Sequence, residues 1–271
     1  MNLQRLREQI NRIESGTEDI AEAAAAARAK ARVQEAEEPA KPTWSGSNYP
    51  GMPEGDDWLA DVPAQYRDGT GGFELRLAHD LAAVGVRCYR LTDLDNYAGT
   101  DPQAIPVYTD WLANLDEKIP GPETRHREGI RAHLLHNLAD PAAYGDQDAI
   151  AALIAQLRRN PPMPSDVQWW AAEALDKIAG PQNYAEILAL FHELTDDNPR
   201  AALLPYLGRS KTPEAIQIAV DALADRGTRQ WAVQALILAE ADGTLPLIAR
   251  YADDESEQVR TWVRTAMEQL E

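Results

Sequence analysis

Cysteine is nearly absent from this 271-residue chain. Cys88 stands alone, which excludes an internal disulfide and a cysteine-built zinc site. Basic residues are scarce as well: 26 Lys and Arg face 44 Asp and Glu, for a formal charge of −18. Such a surface repels a phosphate backbone, so nucleic-acid binding is not expected. It favours a basic protein partner and speeds its capture. No run of residues is long and apolar enough to cross a bilayer. Residues 1–20 alternate charged and apolar side chains where a signal core would be continuously apolar. The expectation is a soluble, cytoplasmic protein with no membrane partner. Only two phenylalanines are present, and much of the 44% hydrophobic content is alanine, a composition that suits closely stacked helices better than a barrel or sandwich. A phosphate-binding loop, a nucleophile elbow and an activated-serine motif are all missing. Gly69-Thr70-Gly71-Gly72 is glycine-rich but follows a linker where a phosphate loop needs a strand, so no cofactor is expected.

What the chain does have is a repeat. Trp170-Ala171-Ala172-Glu173-Ala174-Leu175 recurs as Trp231-Ala232-Val233-Gln234-Ala235-Leu236 and as Trp262-Val263-Arg264-Thr265-Ala266-Met267. A copy lacking the tryptophan ends in Pro205-Tyr206-Leu207-Gly208. The anchors Leu175, Leu207, Leu236 and Met267 are 32, 29 and 31 residues apart. A period in that range belongs to stacked helical hairpins, none of which buries its apolar face without its neighbours.

Three regions differ in texture. Residues 1–38 read as helix, with Leu3, Leu6, Ile10, Ile13, Thr17, Ile20, Ala24, Ala27 and Ala31 spaced alternately by three and four, a heptad seam. Its second half offers only alanine, and Gly16 interrupts it. A self-associating coil over residues 3–31 and a pair of loosely attached helices are both compatible with that pattern. Residues 39–72 are dense in proline and glycine, which prevents regular structure. Trp44, Tyr49, Trp58 and Tyr66 lie inside this stretch, and rings are unusual in a free tether, so it reads as a strap packed on a helical body. Residues 73–271 read as that body. Within it, 73–100 form a capping pair of helices, one over 73–84 and a short one over 89–97. Five hairpins follow, at approximately 101–139, 146–180, 181–210, 211–241 and 242–271. Asp101-Pro102, Gly180-Pro181 and Thr212-Pro213 mark helix starts.

The phrase Val259-Arg260 with Ala266, Met267 and Leu270 resembles the second helix of a HEAT repeat. So do Thr228-Arg229 with Ala235-Leu236, and Val167-Gln168 with Ala174-Leu175. The short period is similar to the HEAT-like repeats of bilin lyases. The resemblance covers residues 101–271 well, 73–100 loosely, and does not reach the N-terminal regions. It implies an all-α fold, a HEAT-like α-solenoid of about five hairpins, and most often a binding scaffold. It carries no catalytic residue across, because the motif is one of packing.

Helical geometry then sorts the second helices. At about 100° per residue, with Val259 as origin, positions three, four, seven and eleven face the core. Trp170, Trp231 and Trp262 occupy position three and are expected to pack between repeats. Positions two, six and nine point away, onto the side that lines the concave face of a solenoid. They are Trp169, Glu173 and Asp176; Gln230, Gln234 and Ile237; Thr261, Thr265 and Glu268. Aligning Leu135 with the other anchors adds His133 and His136. Trp169 and Ile237 are the informative members, since stacking requires no large apolar group there. The expected protein-binding strip is therefore His133, His136, Trp169, Glu173, Asp176, Gln230, Gln234, Ile237, Thr265 and Glu268.

His133 and His136, three apart, lack the spacing and glutamate of a zinc-protease helix, and two ligands hold a metal weakly. Ordinary surface histidines are the better account. Asp196-Asp197 and Asp253-Asp254-Glu255 lack the alternating oxygens of a calcium loop and read as helix caps. Cys88 reads as buried and inert. The leading expectation is a non-enzymatic scaffold or inhibitor that grips a basic protein through the concave face, one version being a neutraliser of that partner. A structural adaptor oligomerised by the N-terminal coil is equally consistent. An enzyme of the lyase or glycosylase type is the rival class. The glycosylase needs a basic groove that the strip does not offer, and the lyase has no further motif behind it.

Overall fold

The computed structural model describes residues 52–55, 57–60, 62–66, 73–94 and 101–270, all within one compact unit of residues 44–271. The heptad seam of residues 3–31, the aromatics Trp44 and Tyr49, and the glycine run 69–72 lie outside the described residues. Among the described residues every element is helical apart from one isolated antiparallel bridge between Phe73 and Arg90.

The helices are α1 (Leu75–Ala83), α2 (Ile105–Ala113), α3 (Leu115–Lys118), α4 (Arg125–Asn137), α5 (Gln147–Leu157), α6 (Ser165–Ile178), α7 (Tyr184–Glu193), α8 (Asp197–Arg209), α9 (Pro213–Ala222), α10 (Arg229–Leu238), α11 (Leu245–Ile248) and α12 (Glu257–Gln269). They pair as five hairpins: α2 and α3 with α4, α5 with α6, α7 with α8, α9 with α10, and α11 with α12. Neighbouring hairpins pack side by side as in a solenoid. Helix starts follow the capping chemistry of the sequence. Asp146 accepts from the Asp148 and Ala149 amides, Asp196 from Asn198, Thr212 from Ala215 and Ser256 from Val259, each satisfying a donor that has no partner within its own helix.

Over residues 89–94, the described part of the short helix expected at 89–97, no α-helix forms. Extended residues lead to Arg90, and a single 3-10 turn covers Leu91–Asp93. The Asp93 carboxylate accepts from the Arg90 amide at 3.0 Å and from its guanidinium at 2.8 Å. That closes a local loop in competition with a helix. Tyr89, next to it, stacks on Tyr66 at 4.7 Å and meets the edge of buried Trp58 at 5.2 Å.

The second helices α4, α6, α8, α10 and α12 form one closely packed layer, each laid extensively against the next. Beyond α2 and α5, the first helices touch one another much less. Small residues explain the tight layer: Ala171, Ala172, Ala174, Ala201, Ala202, Ala232, Ala235 and Ala266 are all buried in it. The closest approach is at Gly208 of α8, where a Cβ would stand 2.7 Å from the Ala235 Cα of α10. Only glycine fits a position where two backbones touch.

In α6, α10 and α12 the residue after the core origin carries a recurring donor. Gln168 Nε2 donates to the Met163 carbonyl at 2.7 Å. Arg229 donates to the carbonyls of Leu223 at 2.8 Å and Ala224 at 3.1 Å. Arg260 donates to those of Asp254 at 2.6 Å and Glu255 at 2.9 Å. Each long polar side chain thus turns back to satisfy carbonyls of the turn inside its own hairpin, groups that a sharp turn leaves without backbone partners. Arg229 reaches further: it pairs with Asp254 and lies over the Tyr251 ring at 4.2 Å, tying the fourth hairpin to the fifth.

The first two hairpins are joined differently. Arg131 of α4 is 2% exposed. It donates to Gln156 Oε1 of α5 at 2.7 Å and to Glu123 Oε2 at 3.1 Å. Gln156 Nε2 in turn donates to the Leu112 carbonyl of α2 at 3.2 Å. Arg127 and Arg159 converge with Arg131 on Asp116. Burial raises the Asp116 pKa, but the Arg127 hydrogen bond and the charges of Arg159, Arg127 and Arg131 outweigh it, leaving the carboxyl below its ordinary value.

Candidate functional site

The strip residues sit on α4, α6, α10 and α12, four of the five helices of the tight layer. His133, His136, Trp169, Glu173, Asp176, Gln230, Gln234, Ile237 and Thr265 are half-buried, and Glu268 is exposed. Two aromatic contacts organise the surface. The His136 ring of α4 meets Trp170 of α6 edge-on at 4.6 Å. Trp169 of α6 meets Trp231 of α10 at 5.0 Å with the rings tilted by 54°.

The division between an outward Trp169 and core tryptophans therefore needs correcting. Trp169, Trp170, Trp231 and Trp262 are all half-buried and pack against the core from its margin. The reason lies in the copy that lacks its tryptophan. At the corresponding position α8 has Ala202, with Ala201 beside it, both buried. Packed helices stand 8–10 Å apart, so side chains on α6 and α10 meet only if α8 between them is low. Two adjacent alanines make it low, and the two indoles meet across it.

The rest of the strip is less connected. Glu173 pairs with Lys177 at 3.0 Å, one turn on. Thr265 Oγ1 donates to the Thr261 carbonyl at 3.2 Å. Ile237 packs against the core from its edge. Among the described residues no hydrogen bond joins Gln234, Thr265 or Glu268 to the aromatic pairs. His126, weighed with the other histidines, faces Glu74 at 3.8 Å. Among the described residues no group of three or more His, Cys, Asp or Glu is placed to hold a metal ion. Cys88 is buried, which pushes its thiol pKa upward and keeps the nucleophilic thiolate scarce.

Asp176 belongs to a second feature that the strip did not foresee. It lines a cleft of about 610 Å³ with Tyr144, Tyr184, Tyr206, Arg209 and Thr212. The α6 and α8 C-termini supply Asp176, Tyr206 and Arg209, and the start of α7 supplies Tyr184. Burial raises the Asp176 pKa above its ordinary value, and the nearby Arg209 and Lys177 offset this only in part. The Arg209 Nη2 donates to the Asp176 backbone carbonyl and pairs with its carboxylate Oδ1 at 2.9 Å. Two ring positions are fixed: Tyr206 donates to the Gly180 carbonyl at 2.9 Å, and the Tyr184 hydroxyl is 2.7 Å from Thr212 Oγ1. Burial pushes the Tyr206 phenol up to about 12, so it stays protonated. The three tyrosines come from three separate elements, and no spacing in the sequence announces them.

Among the described residues no helix is long and apolar enough to cross a membrane. No curated protein matches the chain. Residues 150–237, the stretch from α5 to α10 that carries both the indole pair and most of the tyrosine cleft, match the family model for HEAT repeats.

Proposed function

We propose that the chain is a non-catalytic protein-binding scaffold that holds a basic protein against its second-helix layer, the concave side of the array. The observation that carries this reading is the Trp169–Trp231 pair. Two large rings remain half-buried where the layer beneath them is already closed by alanine. Tryptophan anchors interfaces more than any other residue, since its burial removes much apolar area at small entropic cost. The charge of −18 supports a basic partner, attracted over distance and sensitive to salt. HEAT arrays present an extended surface suited to that task.

The test uses the full chain as bait in its native host. The specific partner should be basic, should be lost by Trp169→Ala and by Trp231→Ala alike, and should associate more slowly as salt rises. Each substitution should weaken binding by about 2 kcal/mol or more. A partner that is acidic, or that binds both variants as well as the native chain, overturns the proposal. A second reading, an adaptor oligomerised by the seam of residues 3–31, is supported by that seam alone. Deleting residues 1–38 should then convert an oligomer into a monomer, and a full-length monomer in light scattering removes it.

A further inference from the structure

We infer that the cleft at the C-terminal ends of α6 and α8 receives one arginine side chain of a protein partner, its guanidinium held between tyrosine rings and the Asp176 carboxylate. The inference rests on the reading that the chain binds a basic protein, and it assigns that partner a specific anchor point away from the tryptophan band.

Three features favour a cation. The first is the wall of Tyr144, Tyr184 and Tyr206. Aromatic faces are negative at their centre and attract ammonium and guanidinium groups, most strongly where water is excluded. Tyr184 and Tyr206 are locked by their hydroxyl bonds, so an entering group meets a preformed wall. Tyr144, 61% exposed, stands at the rim where a partner arrives.

The second feature is Asp176, the one carboxylate among the residues lining the cleft, whose Oδ1 is met by Arg209 at 2.9 Å. A desolvated carboxylate gains from any further donor and loses from any further negative charge. Lys177 is paired with Glu173 and Arg209 with Asp176. A carboxylate accepts several donors, so a second guanidinium can join Arg209 on Asp176.

The third feature is Arg209 itself. Its guanidinium lies 5.5 Å from the Tyr206 ring centre while donating to the Asp176 carbonyl. The chain thus already carries one guanidinium on this tyrosine and this aspartate, and the remaining volume of about 610 Å³ leaves room for a second side chain with its flanking backbone. A planar, weakly hydrated guanidinium stacks on aromatic rings and forks onto carboxylate better than a lysine ammonium does.

The experiment titrates the full chain at low salt with a capped five-residue alanine peptide bearing a central arginine. Two matched peptides carry citrulline, its neutral near-isostere, or lysine. Ring signals of the tyrosines and indole signals of the tryptophans are followed by NMR. The arginine peptide should shift Tyr184 and Tyr206, the lysine peptide should bind several-fold more weakly, and the citrulline peptide at least tenfold more weakly. Asp176→Asn should lower the arginine affinity at least tenfold and Tyr144→Ala at least threefold. Tyr144 is exposed, so that variant keeps the test open if the other disturbs folding. Equal binding of arginine and citrulline, or affinity unchanged in both variants, overturns the inference. Shifts confined to the tryptophans refute the cleft and leave the scaffold reading standing. With no shift anywhere the cleft is refuted too, and the scaffold reading is then decided by the host partner and Trp169→Ala.

Discussion

The seam between the first two hairpins and the seam between the third and fourth solve one problem in opposite ways. At the first, buried Arg131 spans the gap between helices and is satisfied by Gln156 and Glu123. At the other, side chains are stripped away until Gly208 of α8 touches the Ala235 backbone of α10. The polar seam depends on every hydrogen bond being made, because an unmatched buried donor costs more than a matched one contributes. The bare seam depends only on the absence of atoms. A single repeat motif therefore does not imply a single kind of interface.

Gly208→Leu should break this contrast most severely. The bare seam has no space to yield, so overpacking should cost about 3 kcal/mol or more, despite a helix-propensity gain of about 1 kcal/mol. Chemical denaturation gives the number, and a loss below the propensity term would mean that α8 and α10 separate freely. Gln156→Leu comes next. It strands a donor of Arg131 and the Leu112 carbonyl, for about 2 kcal/mol. A neutral result would mean that water replaces Gln156 at the polar seam.

The smallest effect sharpens the comparison through pH. Asp116 has a lowered pKa, so its contribution is present above the unfolded value of about 3.9 and is lost as pH falls through the folded one. Asp176 has a raised pKa, so its sign is reversed. Its ionised form destabilises the fold above the folded pKa, and the penalty disappears on acidification. Asp176→Asn should therefore melt slightly higher than the native chain at neutral pH, and the difference should fade towards about pH 4. Melting curves across that range check it. A variant that melts lower at neutral pH would mean that the Arg209 pair outweighs burial. Gaining stability while losing arginine affinity would mark Asp176 as a binding residue whose burial the fold tolerates at a cost.

The hairpins were legible because each repeat needs the same anchor leucine and the same turn chemistry, and both survive in the sequence as spacing. The Val-Arg phrase was legible as a signature, but its work was not. The turn carbonyls met by Arg229 and Arg260 leave no mark on side-chain pattern. The face assignment went astray at Trp231, since the helical wheel treats each helix alone and does not register that a neighbour is missing a ring. Ala202 in α8, not any feature of α10, decides where Trp231 goes. The expected helix gave way over residues 89–94 because Asp93 closes back on Arg90, and a capping contact within three residues outcompetes a weak amphipathic pattern. The tyrosine cleft was illegible for a third reason: its walls come from three elements, each unremarkable by itself.

The indole pair also alters how unfolding spreads along the array. In a one-dimensional stack, each unit feels only the units on either side, so a defect is confined to its own place. Trp169 and Trp231 belong to the second and fourth hairpins and skip the third, which adds a next-nearest-neighbour term. The third hairpin cannot open alone without parting the rings above it, so hairpins two to four are coupled beyond nearest neighbours, whereas the end hairpins are held by adjacent contacts alone. The unit of stability in this protein is thus longer than the unit of repetition.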